Sequence, residues 1–198
     1  MARAMKCIPL VFLALLAGCA TPRWTQVGGE YKNEKLNFVV DLPQGWMRAG
    51  DEHVLNATRE GFPLQHILVS RFGIDQPLAN TKKKFQKGML PQEVAEVALD
   101  QFGSDPKLTH LAILENKPAA ICGNPGFRVV FTYRFKEGAR YKDVVYGFLL
   151  KDHFYYLRYS AAQRHYFDRD AETFEKVVKS FRLIRVLDGS LDKPVAGS

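Results

Sequence analysis

The fold class is decided by the stretch Phe127-Arg128-Val129-Val130-Phe131-Thr132-Tyr133-Arg134-Phe135. Its odd-numbered residues are all aromatic or β-branched, and this two-residue period is typical of a β-strand. A turn at 136–138 and a run back over 141–150 predict a hairpin. A short turn then leads into a third strand at 153–160. Three consecutive strands joined by short turns indicate an antiparallel meander.

The third strand of this meander has large side chains at successive positions. Phe154 and Tyr156 lie on one face of the predicted sheet, and Tyr155, Leu157 and Tyr159 lie on the other. A sheet with one face in water does not need large apolar residues on both faces. We therefore expect other elements to cover both faces, at least in part.

Two segments have the spacing of amphipathic helices. Pro91 suits a first helical position, and the apolar stripe behind it predicts a helix over 91–102. Apolar residues spaced by four and three predict a second helix over 168–181. The remaining predicted strands are 36–42, 54–58, 65–72, 110–115 and 119–122. The chain is thus predicted to be α+β, a central antiparallel β-sheet flanked by helices in an α/β/α sandwich.

The N-terminal residues have the pattern of an export signal. Arg3 and Lys6 are followed by an apolar run of about a dozen residues, which is shorter than the ~20 needed to span a bilayer. The run ends in Leu16-Ala17-Gly18-Cys19, which resembles the lipobox of bacterial lipoproteins. The resemblance implies that residues 1–18 are removed by cleavage between Gly18 and Cys19.

The same resemblance implies that Cys19 carries fatty acyl chains such as palmitate. Three chains on one residue anchor a protein stably, because each buried methylene contributes about 0.8 kcal/mol. Ala20 follows the cysteine, where Asp would favour retention in the inner membrane. The expected location is therefore the outer membrane, facing the periplasm, with the inner membrane as the alternative.

Composition sets the domain organisation and the class of partner. The chain is 46% hydrophobic and 12% aromatic, which argues against disorder. Loss of residues 1–18 lowers the formal net charge from +7 to +5, so anionic envelope surfaces would attract the mature chain. Nucleic acid is excluded as a partner by the predicted compartment. We predict a lipidated cysteine and tether at 19–34, a single domain at 35–187 and a tail at 188–198.

No pattern of catalytic or metal-binding residues is found in the sequence. The five histidines are scattered, and neither a paired-histidine helical motif nor a serine-nucleophile motif occurs. Cys122 is the one cysteine left after processing, and we expect it to be a small apolar side chain at a strand end. The sequence therefore predicts a protein that is not an enzyme, with no catalytic residue, no metal ligand and no cofactor.

One charge cluster is a candidate contact site. Lys82, Lys83, Lys84 and Lys87 lie within six residues just before the helix at 91–102. Such a run is usually a solvated loop, and the alternative is a contact with anionic lipid headgroups or an acidic partner. We expect replacement of the four lysines by Gln to weaken binding to anionic liposomes if the second interpretation holds.

Several of these segments together resemble a known group. They are Leu42-Pro43-Gln44-Gly45-Trp46, the Gly126-Phe127 start of the meander, Tyr155–Ala161, Phe174 and Ser180–Leu183. The pattern is similar to that of Mog1-like and PsbP-like proteins and covers roughly 35–184. The resemblance implies an antiparallel sheet of six or seven strands between helices, in a non-catalytic binding module.

Three functions are compatible with these observations. The first is a membrane-anchored lipoprotein that binds envelope proteins and assists their assembly or stability. The second is a small-ligand or lipid-binding module. It requires that the aromatic residues between 127 and 167 line a binding pocket and do not only pack in a core. The third, a cell-wall hydrolase, has no supporting motif.

Overall fold

The computed structural model describes residues 24–136 and 138–184. The predicted signal at 1–18, Cys19 and the tail at 188–198 lie outside them. Within the described ranges the chain forms nine strands and two helices, in the order β1 (Trp24–Asn33), β2 (Phe38–Ala49), β3 (Leu55–Thr58), β4 (Gln65–Gly73), α1 (Pro91–Gly103), β5 (Leu108–Ile121), β6 (Asn124–Phe135), β7 (Arg140–Leu150), β8 (His153–Ala162), α2 (Phe167–Ser180) and β9 (Arg182–Leu183).

The strands form one antiparallel sheet in the order β1-β2-β3-β4-β8-β7-β6-β5, with β9 added to β2. The predicted meander is confirmed, because β6 pairs with β7 and β7 pairs with β8 in continuous registers. The strand β4 pairs with β8 over the whole length of β4, and this pairing joins the N-terminal strands β1–β4 to the meander. The two predicted helices also match α1 and α2, with bounds that shift by one residue.

Side chains alternate between two cores, one on each face of the sheet. The α2 face carries Tyr155, Leu157 and Tyr159 of β8 together with apolar residues of α2. The α1 face carries Phe154 and Tyr156 together with apolar residues of α1. Among the described residues each face thus receives a single helix, and the fold is mainly sheet.

The expected tether is the main correction to the predicted organisation. Residues 24–33 of the predicted 19–34 tether form the strand β1. β1 pairs with β2 from one end to the other, and the register shifts once, between Val27 and Gly29. Val27 and Tyr31 pack against the α2-face core, although the outward residues of this edge strand are polar. The domain therefore begins by Trp24 and not at 35. In the same way, the strands predicted at 110–115 and 119–122 are one strand, β5.

A close approach of two strands requires glycine at Gly126. A Cβ at this position would lie 2.4 Å from the backbone oxygen of Gly147 and 2.6 Å from Cδ1 of Ile121. We expect Gly126→Ala to lower the free energy of unfolding by about 1–3 kcal/mol, because a fixed backbone cannot yield as a side chain can. Urea denaturation measures this.

The matched control is Gly103→Ala at the end of α1. There the added Cβ would meet only Cδ2 of Leu111, at an ordinary 3.6 Å. We expect a change within about 0.5 kcal/mol, since surface substitutions of this kind are close to neutral. Equal losses in the two variants would contradict the close-approach argument.

No helix among the described residues is long and apolar enough to cross a bilayer.

Candidate functional site

A cavity of about 410 Å³ lies on the α1 face between the sheet and the segment 74–90. Its walls come from the end of β4, from the second half of α1, from β8 and from the segment that precedes α1. The lining is mostly apolar, with a few polar side chains among the lining residues. The lining residues include Phe85, Ala98, Phe102, Tyr156 and Arg158.

The outer wall is held in place by a buried ring. Phe85 is only 4% exposed and stacks on Phe154 of β8, with ring centroids 4.2 Å apart. The backbone N–H of Asn80 donates to Oε1 of Gln101 at 3.0 Å, and the Thr81 hydroxyl donates to Asp100 of α1. These contacts bind an irregular segment to both the sheet and the helix, and so they define the volume between them.

The floor of the cavity carries a nearly buried cation. The side chain of Arg158 is 18% exposed, and its Nε donates to Oδ2 of Asp143 at 2.6 Å. Its Nη2 donates to the hydroxyl of Tyr133 at 3.0 Å, and its guanidinium lies 4.8 Å from the ring centroid of Phe102. The guanidinium is thereby fixed in one orientation against the cavity.

Asp143 balances this cation from inside the protein. Its side chain has no exposed surface, and this burial raises the pKa of the Asp143 carboxyl, while the charge of Arg158 acts in the opposite direction. A buried charge without a partner is costly, so each member of this pair is needed as long as the other is present. The cavity therefore offers apolar walls and guanidinium N–H donors, with its net charge locally balanced. This lining suits an apolar molecule with a hydrogen-bond acceptor at one end.

The aromatic residues between 127 and 167 are mainly core. Phe127, Phe131, Phe148, Tyr155 and Tyr159 are at most 1% exposed and are distributed over the two cores. Core packing is thus the main role of this cluster. The exception is the cavity, to which Phe154 and Tyr156 contribute.

The outer edge of β5 is a second candidate site. β5 is the last strand of the sheet, and among the described strands it pairs only with β6. The consecutive residues Ile113 and Leu114 are both exposed, at 53% and 57%, and the register of β5 with β6 shifts between Ile113 and Glu115. A β-bulge of this kind turns a side chain that would otherwise face inward. The result is an exposed apolar pair on a sheet edge.

Two further irregularities limit backbone pairing along this edge. The register also shifts between Thr109 and Ala112, where His110 has a positive φ of 55°. Pro118 lies farther along the strand and has no N–H to donate. Bulges and proline on an edge strand prevent indiscriminate strand addition. A partner at β5 would therefore contact side chains and not extend the sheet.

A polar cluster joins β5 to α2 beside this edge. Arg128 donates to Oε1 of Glu175 at 3.0 Å and to Glu115, and its Nε donates to the hydroxyl of Tyr146 at 2.9 Å. Tyr146 in turn donates to Oε2 of Glu175 at 2.6 Å. Burial first, and then Glu175, raise the pKa of Tyr146, so its hydroxyl stays protonated. The mutual hydrogen bonds of these four side chains indicate a structural role, in fixing α2 to the sheet.

The lysine cluster of the sequence analysis is partly neutralised. Lys83 pairs with Asp100 of α1 at 3.1 Å, and Lys87 pairs with Asp152 at 2.6 Å. Lys82 and Lys84 are exposed beside the acidic outer side of α1. Contact of these lysines with an anionic surface stays a prediction.

The other predicted chemistry-bearing residues are dispersed. Cys122 directly follows the end of β5, the strand-end position that we expected, and it is exposed in the turn to β6 with a positive φ of 50°. Within 24–136 and 138–184 no group of three or more potential ligands is arranged to hold a metal ion.

His66 has a titration that can be tested. Burial, and then the charge of Arg158, lower the pKa of His66 to about 4 from the usual 6.5, and its Nδ1–H donates to the carbonyl of Phe62 at 3.2 Å. Because the folded protein holds this imidazole neutral, the unfolded chain binds more protons between pH 6.5 and 4. We expect stability to fall as pH is lowered through this window, by up to about 1.4 kcal/mol per pH unit.

The measurement is urea denaturation at several pH values, for the parent and for His66→Gln. Only the difference between the two slopes reports on His66, since other groups titrate in the same range. We expect a shallower slope in the variant. Parallel slopes would contradict the lowered pKa of His66.

Comparison with known proteins identifies the class of fold. Over 86% of this chain and 98% of the other, the structure is similar to cyanobacterial PsbP (CyanoP) from Synechocystis sp. PCC 6803, with a TM-score of 0.55 and 13% identity. It is also similar to the Saccharomyces cerevisiae Ran-binding protein Mog1p, over 81% of this chain and 97% of the other, with a TM-score of 0.53 and 11% identity.

The chain thus has a Mog1/PsbP-like fold, as the sequence resemblance implied. The expected number of six or seven strands was wrong, because the sheet of the described residues has nine. At these identities the likeness shows the fold alone. No protein-family model matches the sequence, and no curated protein matches it. The site residues must therefore be argued from this structure.

Proposed function

We propose that this chain is a bacterial envelope lipoprotein, held at the outer membrane by acylated Cys19, which binds another envelope protein as a non-catalytic accessory module. The observation that carries the protein-binding role is the exposed pair Ile113 and Leu114 on the edge of β5. Exposed large apolar side chains placed together are typical of interaction surfaces.

The chemistry of this edge indicates the kind of partner. Glu115 and Lys117 follow the apolar pair along β5, and polar residues beside an apolar centre are the usual composition of a protein interface. The bulges restrict backbone pairing, so the partner would supply an apolar patch and not an extended strand. One solved protein with the same fold is a Ran-binding protein, which supports the use of this fold in protein binding.

Site-specific photo-crosslinking in intact cells tests this role. We expect a crosslinking amino acid at Leu114 to capture an envelope protein, and the same group at the exposed Lys32 of β1, on the opposite edge of the sheet, to capture little. Leu114→Asp in a chain that is crosslinked from Ile113 should abolish the adduct. Equal labelling from Leu114 and Lys32, or labelling unaffected by Leu114→Asp, would contradict the edge of β5 as the partner site.

The anchor is tested separately. We expect the intact mass of the mature protein to exceed that of residues 19–198 by a diacylglyceryl group and a third acyl chain. Cys19→Ala should lose this mass and leave the protein in the unprocessed form. An unmodified N-terminal cysteine in the membrane fraction would overturn the lipoprotein assignment.

The cavity on the α1 face favours a second candidate, binding of a small apolar ligand with a hydrogen-bond acceptor directed at Arg158. Native mass spectrometry of the periplasmic, unlipidated domain would reveal such a ligand as a lost mass on denaturation. Ala98 lines the cavity and is 6% exposed, so Ala98→Phe should fill the space and remove the ligand. A bare polypeptide mass in the parent would end the ligand-binding alternative.

A further inference from the structure

We propose that one end of the sheet, the hairpin end, rests on the membrane and binds anionic lipid headgroups. The hairpin end comprises residues 134–136 and 140–141 of the β6–β7 hairpin, the segments 60–64 and 163–166, and Trp24. Its Arg and Lys residues are Arg134, Lys136, Arg140 and Arg164. This inference rests on the proposed acylation of Cys19, and it adds a second, non-covalent membrane contact.

The covalent chain limits how far this end can lie from the anchor. Trp24 is five residue steps from Cys19. A fully extended chain covers at most about 3.6 Å per residue, so the two Cα atoms are within about 18 Å whatever the conformation between them. An acylated Cys19 therefore holds Trp24 close to the headgroup region.

Contacts across the surface connect Trp24 to the hairpin. The ring of Trp24 lies 4.9 Å from that of Phe62, and the carbonyl of the next residue, Pro63, accepts a hydrogen bond from the Tyr141 hydroxyl at 2.5 Å. The ring of Tyr141 contacts that of Phe135 at 5.4 Å. These contacts bring the first described residue and the hairpin onto one surface, so the short connection to Cys19 places that surface near the membrane.

The positive charges of this surface have no internal counterpart. Arg134, Lys136, Arg140 and Arg164 are exposed, and none forms an ion pair with another described residue. Glu60 of the same surface pairs with Arg169, and the hairpin sequence also contains Glu137, which lies outside the described residues. The four cations therefore leave an excess of positive charge.

Two of these cations are held opposite each other. Arg134 and Arg140 are direct partners in the register of β6 and β7. Like charges at opposed positions on paired strands are unfavourable, and an anion shared between them removes this cost. The backbone N–H of Gln163 donates to the carbonyl of Arg140 at 2.8 Å, which places Arg164 close to the pair. Lipid phosphates supply anions at the required density.

Aromatic side chains at the same end are suited to the interface. Trp24 and Phe135 are 41% and 43% exposed, among the few large hydrophobic side chains that are exposed in the described ranges. Aromatic residues, Trp above all, are enriched where a protein meets the headgroup region of a bilayer. Basic residues next to exposed rings combine electrostatic attraction with partial insertion.

This orientation separates the hairpin end from the lysine cluster. Lys87 pairs with Asp152, in the turn between β7 and β8, whereas Arg140 begins β7 at the opposite end of that strand. A domain that rests on its hairpin end holds Lys87 away from the membrane. We therefore expect removal of positive charge to weaken vesicle binding at the hairpin end and not at the lysine cluster.

The experiment measures the binding of residues 20–198, produced without lipid, to vesicles of phosphatidylcholine mixed with phosphatidylglycerol. The test variant is R134Q/K136Q/R140Q/R164Q, and the matched control K82Q/K83Q/K84Q/K87Q removes the same number of charges. Circular dichroism and the urea midpoint establish that both variants fold. We expect at least about a tenfold loss of affinity in the test variant and less than about twofold in the control.

A second readout follows the position of Trp24. Brominated lipid should quench the fluorescence of Trp24, and Trp24→Phe should remove this quenching, because the remaining Trp46 is 2% exposed. Absence of binding to anionic vesicles, equal losses in the two four-residue variants, or unquenched Trp24 in the bound state would each overturn the inference.

The test does not depend on acylation. A mature protein with acylated Cys19 but no hairpin-specific vesicle binding would overturn this inference alone. Hairpin-specific binding together with an unmodified Cys19 would support the basic surface and overturn the lipoprotein assignment.

Discussion

Replacement of Arg158 by Ala is expected to lower the free energy of unfolding by about 3–5 kcal/mol. The cause is the carboxylate left behind and not the lost ion pair itself. Asp143 has no exposed surface and accepts a hydrogen bond from Nε of Arg158 at 2.6 Å. Without the guanidinium, Asp143 must be buried as an unpaired charge or bind a proton. Urea denaturation at neutral pH measures the loss.

The double variant Asp143→Leu/Arg158→Met separates these causes. An apolar pair of similar volume often replaces a buried ion pair at little cost. We therefore expect the double variant to be more stable than Arg158→Ala. The surface control Arg164→Ala should change stability by less than about 0.5 kcal/mol. A double variant that is as unstable as Arg158→Ala would mean that the buried charge is not the cause.

Replacement of Phe174 by Ala should cost a similar amount, about 3–5 kcal/mol. Phe174 is fully buried, and its ring lies 5.8 Å from that of Tyr159 and 6.1 Å from that of Tyr146. Truncation would leave a void between α2 and the sheet, because rings anchored in paired strands cannot move to fill it. The urea midpoint should fall while circular dichroism stays close to that of the parent at low denaturant.

Two variants on the same helix serve as controls. Phe174→Leu keeps most of the volume and should cost less than half as much as Phe174→Ala. Lys176 lies two residues further along α2 and is exposed, so Lys176→Ala should be nearly neutral. A loss of less than about 1 kcal/mol for Phe174→Ala would contradict the packing of α2 on this face.

The sequence predicts the second half of this fold well and the first strand poorly, for a physical reason. The meander and both helices have strong periods of two or 3.6, because large apolar side chains recur on each buried face. β1 has no such signal, since it is an edge strand in which Gly28 and Gly29 accompany polar residues. Its pairing with β2 depends on backbone hydrogen bonds, which the amino-acid composition does not reveal.

The candidate sites were harder to predict than the fold. The cavity forms because Phe85 reaches across from an irregular segment to Phe154, a contact between residues far apart in the chain. Arg158 and Asp143 did give a signal, because both are charged residues at inward positions of strands that are otherwise apolar there. The two-residue period of each strand places both side chains on a buried face, and two opposite charges there would have predicted a buried ion pair. The pairing of Lys83 and Lys87 with Asp100 and Asp152 is tertiary, so the lysine run alone could not reveal it.

The docking of Phe85 also bears on how well the folded chain resists proteases. Phe85 lies in the middle of the run from Lys82 to Lys87, which offers several cleavage sites to a trypsin-like enzyme. Such an enzyme binds several residues of its substrate in extended form. The ring of Phe85, whose centroid lies 4.2 Å from that of Phe154, keeps the segment from adopting this form. The rate of cleavage there should depend on how often this contact opens and not on the number of lysines. Phe85→Ala would turn a protected segment into the first place at which the chain is cut.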